Sequence, residues 1–207
     1  MRIRSSVPAL LVLLLATGSV AAAGEGAATV LAIGAPAPMA DTKMKNVDGT
    51  ELSIQAMTGQ KGVLVIFTCN ECPWAKAWEE RIVALGNASG ARGVGVIAVN
   101  SNDPTLAPGD NFEAMQRRAR ERGMQFPYVV DTGSNVAKAF GATRTPEVFL
   151  FDASGKLVYH GTIDDNAKEP DKVKVSYLKD AIDAVVAGQP VPMAETKALG
   201  CSIKARS

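Results

Sequence analysis

Cys69 and Cys72 are separated by Asn70 and Glu71, and the third cysteine of the chain, Cys201, lies in the last seven residues. Two thiols three positions apart can close a disulfide without a large backbone movement, so the pair can take up and return two electrons. The reactive species in such exchange is the thiolate, which a helix N-terminus stabilises with its unpaired N–H groups and positive dipole end. Pro73, tolerated in a first helical turn, follows Cys72 at once, which puts both sulfurs at the start of a helix. In this reading Cys69 attacks a substrate disulfide, and Cys72 then attacks Cys69 and releases the product. Cys201 leaves three readings open: a second resolving thiol, a partner in an intermolecular disulfide, or a free surface thiol. The single histidine, His160, near Asp164 and Asp165, reads as an ordinary strand residue beside a turn. One histidine serves a metal site poorly, so neither metal nor cofactor is expected.

The elements around the pair are legible from periodicity. Residues 63–67, Val-Leu-Val-Ile-Phe, form an uninterrupted apolar run that predicts a central strand buried on both faces. Residues 73–85 carry Trp74, Ala77, Trp78, Ile82 and Leu85 at helical spacing, with Trp74 placed to floor the surface around the sulfurs. Asp48-Gly49 predicts a hairpin between residues 43–45 and 50–54. A second strand is expected at 93–99. A helix follows to about Arg122, entered through Asp110 and Glu113 as a capping box, with Arg117, Arg118, Arg120 and Arg122 as a solvated face. A short helix at 134–140, a hairpin of residues 148–151 and 157–159, and a helix at 171–187 with Val175, Leu178, Ile182, Val185 and Val186 inward complete the order. The pattern predicts a three-layer α/β/α domain with a mixed central sheet and an N-terminal β-hairpin.

Arg2 and Arg4, an apolar run over residues 7–16 and Ala21-Ala22-Ala23 have the layout of a secretory signal peptide. Its apolar run is too short for a settled span, so no stable membrane insertion is expected after cleavage near Ala23. The expected divisions are a signal peptide at 1–23, a flexible lead at 24–35, the domain at 36–188, and a tail at 189–207 holding Cys201. Cleavage takes two of the 22 basic residues and none of the 21 acidic ones, turning the net charge from +1 to −1. Such a near-neutral chain excludes the electrostatic footprint of nucleic-acid binding. A periplasmic or secreted location permits a disulfide to persist.

Strand, Cys-x-x-Cys, helix, and then Thr145-Pro146 before the apolar residues 148–151 resemble the thioredoxin superfamily. The resemblance runs from about Pro36 to Ala187 and implies a thioredoxin-like fold. It also implies a cis bond before Pro146, and a backbone at Thr145, flanked by Arg144, that receives the substrate chain. The N-terminal hairpin, the insertion at 100–122, and the stretches Phe67-Thr68-Cys69-Asn70, Asn100-Ser101-Asn102-Asp103 and Gly200-Cys201-Ser202-Ile203-Lys204 are similar to the redoxin branch, peroxiredoxin-like and thioredoxin-like. The peroxiredoxin motif Pro-x-x-x-Thr-x-x-Cys is absent: Gly62 and Ile66, or Val65 and Cys69, stand at its positions. Two thioredoxin features are missing as well, with Thr68 in place of the usual Trp and Val63 in place of the buried acid. Glu71 is expected to oppose a thiolate between the cysteines, giving a moderately reducing couple. Thiol-disulfide exchange with a protein or small-molecule substrate and an unnamed electron donor is therefore the leading function. A thiol peroxidase is the alternative, and a metal-carrier or binding module with a structural cysteine pair is the second.

Overall fold

A computed structural model describes residues 29–206, so the expected signal segment lies outside the described residues. In chain order the strands are β1 (Met44–Asn46), β2 (Glu51–Leu52), β3 (Gly62–Phe67), β4 (Val94–Asn100), β5 (Tyr128–Val130), β6 (Arg144–Thr145), β7 (Glu147–Asp152), β8 (Leu157–Gly161) and β9 (Cys201–Ser202). The helices are α1 (Pro73–Ser89), α2 (Phe112–Arg122), α3 (Asn135–Phe140) and α4 (Tyr177–Ala187).

The central sheet runs β2-β1-β5-β4 and continues through β3-β7-β8. Lys61 N–H donates to Gly93 O at 2.8 Å and Thr68 N–H to Val99 O at 3.0 Å. These bonds advance in the same direction along both chains, so β3 and β4 lie side by side in parallel. β7 is antiparallel to β3 over six residue pairs, and β8 is antiparallel to β7. β5 is parallel to β4 and antiparallel to β1, which makes the sheet mixed as expected. The three-residue β5 has no counterpart among the sequence expectations. It follows Phe126-Pro127 and is too short to display a period.

Side chains of β3 alternate between the two faces, which is why its apolar run is continuous. Leu64 and Ile66 join Trp78 and Ile82 of α1, Met115 of α2, and Leu178 and Ile182 of α4 in one core. Val63, Val65 and Phe67 join Val136 and Phe140 of α3 in the other. In the second core the ring centroids of Phe67, Phe140 and Phe149 stand 5.1 to 5.6 Å apart, edge to face. Each such contact adds about 0.5–1.5 kcal/mol beyond area burial. Phe67 lies two residues before Cys69, Phe140 ends the helix before the 141–146 loop, and Phe149 follows that loop. One aromatic cluster thus anchors both chain segments that meet at the cysteines.

Several expectations change in detail. Val175 is exposed in a loop, because α4 begins only at Tyr177 after a short 3-10 turn at Pro170–Lys172. Ala77 on α1 faces solvent, while Ala75 and Val83 are buried. The cap of α2 is Asn111, whose side chain accepts from Ala114 N–H at 2.9 Å, and Asp110 turns inward. Arg118 and Arg122 are not simply solvated: both pair with Glu79 of α1, at 2.5 and 2.7 Å, and tie α2 to α1. Asp164, expected in an open turn, is buried, accepts from Trp78 Nε1 at 2.7 Å and pairs with Arg81. Residues 29–35, expected as a flexible lead, are bonded to the domain through Leu31 N–H to Phe140 O and Gly34 N–H to Leu157 O.

The tail after α4 is laid along the molecule. Gly188, in a left-handed conformation at φ 67°, ends the helix. His160 N–H then donates to Ala194 O and Thr196 N–H to His160 O, both at 2.9 Å, which covers the outer edge of β8. Farther on, β9 pairs antiparallel with β6.

Candidate active site

Cys72 occupies the N-cap position of α1 and Pro73 its first turn, so the helix start falls where the sequence places it. Cys69 and Cys72 are buried, with 6% and 3% of their surface exposed, and together with Ala75 they form a small cluster against which Trp74 and Cys201 pack. All three cysteines are unbridged. The Thr145–Pro146 bond is cis. Cys72 Sγ donates to Thr145 O at 2.9 Å, and Cys69 Sγ stands 3.2 Å from Thr145 Oγ1. The cysteine pair and the Thr-Pro loop, more than 70 residues apart in sequence, are in direct contact.

The electrostatics divide the pair. A hydrogen bond from the Cys69 thiol holds the Cys72 thiol below the ordinary range; Cys201 and the Ala75 N–H of the first helical turn add to this against the cost of burial. The same contact, seen from Cys69, raises its thiol, and burial and the Asp110 carboxylate raise it further. The two opposite shifts are one contact seen from its two ends, and the lowering of Cys72 competes with its own bond to Thr145 O. Burial first, and then the Cys72 sulfur, push the Cys201 thiol up. The carboxylate that acts on Cys69 is Asp110 rather than Glu71. Glu71 is exposed, and its side chain lies over Gly109, whereas Asp110 is 4% exposed and unscreened.

Asp110 is also a scaffold. Its carboxylate accepts from Asn70 N–H at 2.6 Å and from Asn102 Nδ2 at 2.7 Å, fixing the backbone between the two cysteines. Asn70 is held a second time through its side chain, which donates to Gly109 O at 2.8 Å and accepts from Tyr128 OH at 3.1 Å. Burial, then Asp110 and Cys69, push the Tyr128 phenol well up, so it remains a donor. The 100–110 loop thereby braces the site.

Glu147, next to the cis proline, is 1% exposed and accepts from Thr143 N–H and Arg144 N–H at 2.8 Å each. His160 Nε2 lies 2.7 Å from its other oxygen. His160 lies in β8, a strand residue as expected, and is also the buried partner of Glu147, its ring tilted 4.6 Å from that of Phe149. Among the described residues no group of three His, Cys, Asp or Glu side chains is arranged to hold a metal ion. Arg144 is exposed and donates to Ser202 Oγ at 3.1 Å. Trp74 is half-buried between the sulfurs and Trp78, whose ring is 5.9 Å away. Sequence reasoning missed Asp110, Tyr128 and Glu147 as members of the site. The first was read as a cap, and the other two carried no signal beyond a polar group next to apolar residues.

The Redoxin family's sequence model matches residues 32–179. The thiol-disulfide oxidoreductase ResA of Halalkalibacterium halodurans is 30% identical over 115 residues, which are 56% of this chain and 61% of that protein's length. Among solved structures, an uncharacterized conserved protein from Geobacillus kaustophilus is 35% identical with a TM-score of 0.78, over 84% of this chain and 93% of the other. A hypothetical protein from Sinorhizobium meliloti 1021 is 30% identical with a TM-score of 0.80, over 86% and 97%. With the thioredoxin-like sheet, the cysteine pair at the start of α1 and the cis Thr-Pro loop already in place, the family match makes this chain a member of the redoxin family.

Proposed function

We propose that the protein is an exported thiol-disulfide oxidoreductase that cycles the Cys69–Cys72 pair between dithiol and disulfide. The observation that carries this reading is the contact of both sulfurs with Thr145, at 3.2 and 2.9 Å, beside the cis proline. Cys69 attacks one sulfur of a substrate disulfide and passes its proton to the Cys72 thiolate. One half of the substrate leaves as a thiolate and takes that proton. Cys72 then attacks Cys69, forming the internal disulfide and expelling the other half. The two electrons lost by the pair reduce the substrate, and an external dithiol returns them.

The 500 Å³ cleft lined by Pro36, Met39, Ile54, Thr58 and Phe151 includes none of the cysteines. Recognition at the sulfurs therefore favours an extended chain that displaces β9 from the backbone edge at Thr145 over a small molecule in a deep pocket. Export rests on the leader-like residues 1–23 and on chemistry that suits an oxidising compartment. Among the described residues no helix is long and apolar enough to cross a membrane.

Reduction of insulin disulfides by the wild type and by Cys69→Ser tests the reading. The wild type turns over with a dithiol donor, and Cys69→Ser falls to the uncatalysed background. Equal rates in the two overturn it. Peroxide that oxidises the reduced thiols faster than insulin does moves the assignment to a thiol peroxidase.

A further inference from the structure

Thr145 presents the backbone edge on which a substrate chain would dock, and that edge is occupied by the protein itself. β9 pairs with β6 in antiparallel register, Thr145 opposite Cys201 and Arg144 opposite Ser202, and Ile203 N–H donates to Thr143 O at 3.0 Å. An extended segment added to a free edge through main-chain bonds is the geometry of peptide recognition by strand addition. The fit is close. A Cβ on Gly200 would stand 2.2 Å from Thr145 O, so only glycine passes at that point.

The segment is fixed on both sides of Cys201. Upstream, residues 194–196 hold to His160; downstream, Lys204 N–H donates to Asn102 Oδ1 at 2.7 Å and Asp103 N–H to Lys204 O at 2.8 Å. Cys201 is delivered to a defined place. It lies opposite Thr145, which both other sulfurs touch, and it packs against the cluster of Cys69, Cys72 and Ala75.

We propose that β9 is a resident mimic of the substrate strand, and that Cys201 is a third exchanging thiol that takes the disulfide over by bonding to Cys72. This deepens, and rests on, the thiol-disulfide exchange proposed above. After substrate has been reduced, the Cys201 sulfur attacks Cys72 of the Cys69–Cys72 bond. The Cys72–Cys201 bond forms, the Cys69–Cys72 bond breaks, and Cys69 leaves as a thiol carrying the proton given up by Cys201. Thr145 Oγ1, 3.2 Å from Cys69 Sγ, is placed to donate to the departing sulfur. No electrons enter or leave in this step; an external dithiol later reduces the Cys72–Cys201 bond and resets the pair. The exchange parks the oxidation in the tail and leaves Cys69 free in the oxidised protein.

The full chain, treated with oxidised glutathione until one thiol remains, then acid-quenched, alkylated and digested with trypsin, separates the outcomes. Cys69 and Cys72 fall in the peptide 62–76 and Cys201 in 198–204. The proposal expects these two peptides cross-linked through Cys72, with the label on Cys69. The ratio of that form to the form labelled on Cys201 should lie within about tenfold of one, equivalent to ~30 mV between the two disulfides. Label confined to Cys201, with no cross-linked peptide, overturns it. Two variants guard the result. Cys69→Ser should form the Cys72–Cys201 bond stoichiometrically, and a mixed disulfide with glutathione that persists there overturns the proposal. Gly200→Ala, which lifts β9 off Thr145, should lose at least about tenfold of the cross-link while keeping the Cys69–Cys72 bond. An undiminished cross-link in that variant overturns the role of the strand. Failure of insulin reduction with the cross-link present overturns the exchange reading above and leaves the tail disulfide; insulin reduction with label confined to Cys201 does the reverse.

Discussion

The Cys72 thiol is held below the ordinary range and the Cys69 thiol above it, and the main reason is the hydrogen bond between them. The helix end therefore stabilises the resolving sulfur, and the attacking sulfur receives its activation through it. The sign follows directly. Below the depressed titration point of Cys72 its sulfur is protonated, accepts nothing from Cys69, and exchange slows as pH falls; above it the rate levels off. In Cys69→Ala the chief donor is gone, so the thiolate absorbance of Cys72 should titrate upward, toward the ordinary thiol value of about 8.5. An unchanged titration in that variant would place the cause in Ala75 N–H and Cys201 alone. That Cys69 and Cys72 would meet Thr145 was legible, the pair from its spacing and Thr145-Pro146 from the resemblance to the thioredoxin superfamily. Asp110 was not, since its partners Asn70 and Asn102 are set by a loop whose path no local pattern announces.

At the scale of elements, the site is the meeting of two strand ends. β3 delivers Cys69, and the turn into β7 delivers Thr145, so the antiparallel register of β3 and β7, with Phe67 opposite Glu147, sets which residues face each other. Glu147 fixes that turn by accepting two main-chain N–H groups and by its contact with His160. Glu147→Ala leaves these part-buried donors and the buried His160 without their partner. It should cost on the order of 2–3 kcal/mol in a denaturant titration and lower insulin reduction as well, because Thr145 is no longer held against the sulfurs. Glu147→Gln, which keeps an acceptor at the same place, should recover part of both. The apolar runs and the helix at Pro73 read correctly from periodicity. The hairpins β1–β2 and β7–β8 read correctly from their turns. The pairing of β6 with β9 did not: they have two residues each, and strands that short exist only by virtue of what they lie against.

The whole molecule is organised around a chain that returns to where its chemistry began. β8 runs parallel to β3, and the pairing of β9 with β6 is the tertiary fact that brings Cys201 back to the other two cysteines. The signal-like residues 1–23 make a separate prediction at this scale: protein recovered from the periplasm or medium should have a mass lacking them, and a product that retains Met1 would overturn the export proposal. The route of the tail also bears on synthesis. β7, β8 and α4 lie between β6 and β9 in the chain, so Thr145 is made well before the strand that covers it. Until Cys201 and Ser202 have been added, Thr145 offers an open edge and the sulfur pair lacks the third cysteine that packs on it. A growing chain therefore exposes the docking edge to foreign strands until its own β9 arrives to cover it.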